Sequence, residues 1–335
     1  VQTVRALFRI VIDALQGKKI HITDASLSPM GWLGKKLNRR ARVTLSAHGL
    51  DVTYSPRWYQ WLLRYCLPSF DAIACNSAAT AVEVQKRGVK DENSIVVPCG
   101  IWVDEIVQSE IPEQPVLLSV GRLEERKGYV WFLENVFPLL LEFCPDMQYW
   151  IVGAGKQEQK IRRIVQRNDW QDRVVLHGAI DHDALKMCYS AAAALVVPNI
   201  RVEGDMEGFG IVCVEASARG VPVIAANIEG LCDAVIDGET GFHFTENNPQ
   251  ECADCIAKVL RSEIDRQYCA QRTRNLFSWE ELIHRYAQDI FHLKGDYRNT
   301  DLGLRKQQRG IGACARVDSG CTTVQPVEHT SPVCV

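Results

Sequence analysis

PNIRVEGDMEGFGIVCVEASARGVPVIAA, residues 198–226, holds a strand exit, a loop, a helix and the next strand in one pass. An apolar run ends at Pro198 and an acidic, glycine-rich loop follows. A helical pattern then begins near Phe209 and stops at Gly220, where VPVIAA (221–226) is apolar again. Strands apolar along their whole length, alternating with helices, predict a parallel sheet in an α/β protein. The loop leaves the carboxyl end of its strand, where open α/β sheets take ligands. Gly208 and Gly210 allow the backbone to approach a ligand closely, and the N–H groups opening the helix suit an anion. Glu207 in the loop and Glu215 inside the helix are eight apart and are expected to face one cavity as acceptors for sugar hydroxyls.

The same alternation runs outward from about residue 19 to 275. Strand signals are KIHIT (19–23), RVTLSAH (42–48), DAIACN (71–76), SIVVP (94–98), VLLSVG (116–121), MQYWIVG (147–153), RVVLHG (173–178) and ALVVP (194–198). Crossover helices are expected over 127–143, kinked at Pro138, and over 157–167. Between strand signals, Gln108 to Pro115 carries two prolines and reads as an interdomain linker. It divides the chain into a domain over 1–112 and a second over 113–278. The first opens with a helical pattern (3–15) rather than a strand and a glycine turn, so it is expected to be incomplete at its front. After Ser278, Trp279, Leu282, Ile283, Tyr286, Ile290 and Phe291 share one face of a terminal helix over 279–295. From 296 to 335 periodicity is lost, and a poorly ordered tail is expected.

The 335 residues carry 38 Lys+Arg against 41 Asp+Glu, a formal net charge of −3, and are 47% hydrophobic. That balance excludes a nucleic-acid footprint, and no apolar run is long enough to cross a bilayer. The 13 cysteines are scattered through apolar segments, as buried thiols in a reducing, cytoplasmic compartment would be. Cys252 and Cys255 form a CxxC, but no second ligand pair follows, and ECADCIAKVL reads as an amphipathic helix.

Cations to hold a phosphate are found at GRLEERKG, where Gly121, Arg122, Lys127 and Gly128 follow the strand VLLSV. Arg offers a planar fork for phosphate oxygens and Lys a point charge. A solvated charged loop is the plainer reading of GRLEERKG alone. Together the two motifs resemble the donor domain of retaining family 4 glycosyltransferases of the GT-B fold, with its G-R-x4-K-G-like loop and E-x7-E motif. The resemblance covers about residues 19–294. It implies two Rossmann-like doubly wound domains facing a cleft, an acceptor-side domain first and a nucleotide-sugar domain second, with the terminal helix crossing back to the first. It also implies that Arg122 and Lys127 bind the donor diphosphate and stabilise the leaving group. Glu207 would contact the donor sugar, aided by the amides of Phe209, Gly210 and Ile211, and Glu215 would hold the ribose hydroxyls.

By the same resemblance, His48 in LSAHG sits where the family has a histidine near the donor sugar. VVPCGIWVD matches its P-N-G-x-D turn with Cys99 in place of Asn, which removes a turn-stabilising side chain. Expected partners are a nucleotide sugar and a carbohydrate or lipid-linked acceptor. No cofactor and no metal are expected, since Asp181-His182-Asp183 falls at a helix start and Arg122 and Lys127 supply the positive charge. In YSPRWYQWLLRYCLPSF (54–70), aromatics and arginines suit core packing or a peripheral contact with the inner face of a membrane. IVGAG (151–155) lacks the third glycine of a dinucleotide fingerprint and reads as a tight strand-to-helix turn. The implied activity is retaining, metal-independent hexosyl transfer in polysaccharide or glycoconjugate synthesis. The alternatives are a sugar-nucleotide-binding protein without transfer activity, a phosphorylase or an epimerase.

Overall fold

Runs of Val, Ile, Leu and Ala with no polar alternation can be buried on both faces only if helices cover both sides of a sheet. The computed structural model of the chain describes residues 2–102, 114–293 and 321–324, with side chains for 9–102 and 114–293. It has two sheets of parallel strands. The described residues group into two units: one drawn from Val1–Cys99, Gly204–Phe209 and Trp279–Ser331, the other from Gly100–Glu203 and Gly210–Ser278. The expected linker, 108–115, falls almost wholly outside the described residues.

In the first unit β1 (Lys19–Ile22), β2 (Val43–Ala47), β3 (Ala72–Cys75) and β4 (Ser94–Val96) lie side by side in chain order. Their core holds Ile20, Ile22, Val43, Leu45 and Ile73, with Ile10, Leu63 and Phe70 from the flanking segments, all at most 2% exposed. Each such side chain contributes about 1.5–3 kcal/mol relative to its exposed state. The terminal helix belongs to this unit. It runs over Trp279–Arg285 and continues as a π-turn, Tyr286–Ile290, whose Ile290 packs on Ala72, Ala74 and Val97. Lys19 and Arg42 donate to the carbonyls of Phe291 and Ile290, and Arg285 donates to that of Val96.

Part of the expected tail is corrected. Residues 294–320 and 325–335 lie outside the described residues, but Cys321–Val324 pairs parallel with β1 over Lys19–Ile22 as an edge strand. The β-branched Thr322, Thr323 and Val324 favour extended backbone, and the edge of β1 offers unpaired N–H and C=O groups. A polar composition concealed that local preference.

The second unit contains β5 (Val116–Val120), β6 (Gln148–Val152), β7 (Val174–Gly178), β8 (Ala194–Val197), β9 (Val223–Ala226) and β10 (Gly241–Phe244), in the order β10-β9-β8-β5-β6-β7. The chain runs from β5 outward through β6 and β7, then returns to the other side of β5 as β8. The strand order therefore reverses between β5 and β8. At such a switch point the two loops leaving the carboxyl ends diverge and open a crevice for a ligand. The expected kinked helix over 127–143 is two helices, Tyr129–Asn135 and Phe137–Phe143. Pro138 lies in the first turn of the second, where its missing N–H costs nothing.

Candidate functional site

The loops on either side of the switch are GRLEERKG after β5 and PNIRVEGDMEGFG after β8. They are tied together through the backbone: Ile200 N–H donates to the Arg126 carbonyl at 2.9 Å. Gly128 has φ +68°, and a Cβ there would lie 1.8 Å from the Pro198 carbonyl oxygen. Any other residue would push the loops apart. Contrary to a solvated charged loop, Arg126 and Lys127 are each only 7% exposed, whereas Arg122 is exposed. The Lys127 ammonium lies 3.6 Å from where a Cβ on Gly121 would be, so the glycine leaves room for it beside the strand end. Gly121 and Lys127 thus meet at the end of β5, with the exposed Arg122 next to Gly121 in the chain.

The β6 turn completes this edge. Leu123 N–H donates to the Ala154 carbonyl and Gln157 N–H to the Leu123 carbonyl, so IVGAG is laced to GRLE. Its glycines serve this packing of two turns, with no need for a dinucleotide.

Glu215 lies in the helix Ile211–Ser217, capped at its start by Gly210. Its Oε2 accepts from the Tyr189 hydroxyl at 3.1 Å, and the Arg219 guanidinium sits over the Tyr189 ring at 5.5 Å. Burial pushes the Glu215 carboxyl above the usual carboxylate range, partly offset by the Tyr189 hydrogen bond and Arg219. Tyr189 thus fixes the orientation of a carboxylate whose oxygens, when ionised, can only accept hydrogen bonds. Sequence reading missed Tyr189 because it lies 26 residues away on another helix, with no spacing rule to link them.

In the first unit, His48 at the end of β2 is exposed. Its ring Nε2 donates to the Thr23 carbonyl at 2.9 Å, so in the neutral ring the lone pair is on Nδ1. Its backbone N–H donates to Asp51 Oδ1 at 2.8 Å, while Asp51 Oδ2 accepts from Ala25 N–H at 3.0 Å. Asp51 thereby joins the loops after β1 and β2, and burial raises its carboxyl. It also escaped the sequence reading, although its place three residues after His48 was a usable turn signal. Glu207 (8% exposed), Gly208 and Phe209 group with this unit. A Cβ on Gly208 would lie 1.9 Å from the His48 carbonyl oxygen and 2.9 Å from Asn76 Nδ2, so glycine is required by close approach. The Asn76 side chain also hydrogen-bonds the Cys99 thiol, in the turn where the expected asparagine is missing.

Two weaker metal signals have structural explanations. Asp181 caps the helix His182–Ala191 by accepting from Ala184 N–H at 2.8 Å. Cys252 and Cys255 are buried in the helix Pro249–Leu260, and burial pushes the Cys255 thiol up to about 11. Among the described residues no three His, Cys, Asp or Glu side chains are grouped to hold a metal ion. No helix there is long and apolar enough to cross a membrane.

Residues 104–276 match the family "Glycosyl transferases group 1", and residues 4–105 match "Glycosyltransferase Family 4". The chain is 26% identical over 255 residues to the putative colanic acid biosynthesis glycosyltransferase WcaL of Salmonella typhimurium, covering 73% of this chain. It spans only 60% of that relative's length. Among solved structures, sucrose-phosphate synthase of Thermosynechococcus elongatus superposes with TM-score 0.66 and 25% identity, over 81% of this chain and 72% of the other. Anabaena HepE in complex with UDP gives TM-score 0.73 at 19% identity, over 86% and 82% of the two chains. The shared architecture is the GT-B fold.

Proposed function

Because the chain belongs to the glycosyl transferases group 1 family, we propose that it moves a hexose from a nucleoside diphosphate sugar to an acceptor hydroxyl, with retention at the anomeric carbon. The observation that carries this reading is the pair of loops locked at the β5/β8 switch. They assemble the turn of Gly121, Arg122 and Lys127. In the helix that follows the second loop, the Glu215 carboxylate is held by Tyr189.

In the proposed reaction the bond between the anomeric carbon and the diphosphate oxygen breaks, and the acceptor oxygen bonds to that carbon on the same face. The acceptor proton passes to the departing diphosphate. Charge then grows on the leaving group, and Arg122 and Lys127 offset it, so the chemistry requires no metal ion. Glu215 holds the ribose hydroxyls. Glu207 contacts the sugar with help from the backbone at Gly208, Phe209, Gly210 and Ile211, and His48 lies on the sugar side. Polysaccharide or glycoconjugate synthesis supplies the acceptor, a carbohydrate or lipid-linked hydroxyl compound, and residues 54–70 give peripheral membrane contact.

Calorimetric titration of the full chain with UDP-, GDP- and ADP-hexoses tests the donor site. Saturable binding to one nucleotide is expected, and Glu215→Ala should weaken it by about 1–3 kcal/mol, the scale of hydrogen bonds lost in a buried site. Absence of binding by folded protein overturns the reading. Unchanged affinity in Glu215→Ala removes that residue from the ribose.

A further inference from the structure

The helix Arg57–Cys66 has two faces of different chemistry. Tyr59, Leu63 and Cys66 are buried and account for its packing. Trp58 and Trp61 are each 66% exposed and Tyr65 is 53% exposed. Core packing therefore explains only half of the stripe seen in the sequence. The outer aromatics are ordered against one another: Trp61 stacks on Tyr65 with centroids 5.7 Å apart and planes at 5°, and Tyr65 lies 5.3 Å from Trp32. Trp32 belongs to the adjacent helix Ser28–Leu37, and the Lys36 ammonium sits 5.7 Å above its ring.

Charge on this face is one-sided. Residues 28–70 hold seven Lys or Arg and a single acidic residue, Asp51, in a chain whose formal net charge is −3. Asp51 is occupied by the backbone amides of Ala25 and His48. Lys35 is paired with Asp71, and Arg42 donates to Ile290. Lys36, Arg39, Arg40, Arg57 and Arg64 remain exposed, and neither helix carries an acidic side chain.

Indole and phenol rings bring apolar area with a polar edge that suits the headgroup level of a bilayer, and flanking Lys and Arg reach outward to phosphates. Protein interfaces are also rich in Trp, Tyr and Arg, but they set charges of both signs against one another. Aromatics ringed by cations alone complement a negative lipid surface instead. We propose that the outer face of the helices Ser28–Leu37 and Arg57–Cys66 is a docking surface for an anionic bilayer, with Trp58, Trp61 and Tyr65 entering the interface and Arg57, Arg64 and Lys36 meeting lipid phosphates. This rests on and extends the peripheral contact assigned to residues 54–70, adding the second helix and the sign of the lipid.

The test is co-sedimentation of the full chain with vesicles of phosphatidylcholine alone and of equimolar phosphatidylcholine and phosphatidylglycerol. Sedimentation is expected with the anionic vesicles and should fall as salt rises. Arg57→Gln with Arg64→Gln should weaken it by about twenty-fivefold, at about fivefold for each cation near a negative surface. Trp58→Ser with Trp61→Ser should abolish it. All four side chains are exposed, so circular dichroism and nucleotide titration of both variants should match the parent. Those titrations separate failure of this surface from failure of the donor site. The proposal is overturned by folded protein that stays in the supernatant, by equal sedimentation with both vesicles, or by variants that sediment like the parent. Gel filtration showing self-association lost in Trp58→Ser with Trp61→Ser would assign the face to a second copy of the chain and also overturn it.

Discussion

Lys127 is the residue at which local chemistry says most about turnover. It is buried to 7% exposure in a turn with Gly121, so desolvation would strengthen its field at the diphosphate of the proposed donor. Charge on the leaving group is larger in the transition state than in the bound donor. Lys127→Ala should therefore cut kcat by about a hundredfold or more while donor affinity changes less. Equal losses in steady-state rate and calorimetric affinity would assign Lys127 to simple anchoring. Lys127, Glu207 and Glu215 could be singled out in the sequence because each sits at a fixed offset within a short segment, Glu207 in a loop and Glu215 in the helix after it. Tyr189 and Asn76 could not, because they meet Glu215 and Gly208 across the fold.

At the scale of elements, β5 and β8 and the loops that leave them form the unit that matters. Nine strands could be read from apolar runs, since burial on both faces leaves no polar alternation. β10 (Gly241–Phe244) was missed because four residues starting with glycine and containing His243 give no such run. The lock between loops predicts a specific sensitivity. Gly128 and Gly238 both have left-handed backbone, φ +68° and +74°, but a Cβ meets the Pro198 carbonyl at Gly128 and nothing within 4 Å at Gly238. Gly238→Ala should thus cost only the conformational penalty, about 1–2 kcal/mol, and Gly128→Ala clearly more. Urea unfolding of the two variants compares them, and donor binding should be lost only in Gly128→Ala. Equal destabilisation would mean the loops tolerate separation.

For the molecule as a whole, the same low-dielectric interior that holds the strands makes folding sensitive to acid. His21 on β1 is 1% exposed, between Thr44 (2.9 Å) and Ser46 (3.1 Å). Burial, then the nearby His48, lowers its pKa from 6.5 to about 3. Below pH 6.5 the unfolded chain takes a proton that the folded chain refuses, so this contribution is whole above 6.5 and shrinks toward pH 3. The slope from this one residue is about 1.4 kcal/mol per pH unit. Urea unfolding of His21→Gln should show a shallower loss of stability between about pH 6 and about pH 5, and parallel curves for the two proteins would exclude His21 as the cause. The sequence by itself determined the α/β class, the parallel strands and the two loop motifs, because hydrophobic periodicity and motif spacing are properties of neighbouring residues along the chain. Strand order, the switch between β5 and β8, the backbone lock at Gly128, the Tyr189 partner of Glu215 and the outward face of Trp58 and Trp61 were decided only by tertiary structure. Each depends on which distant segments meet, and no local pattern encodes that.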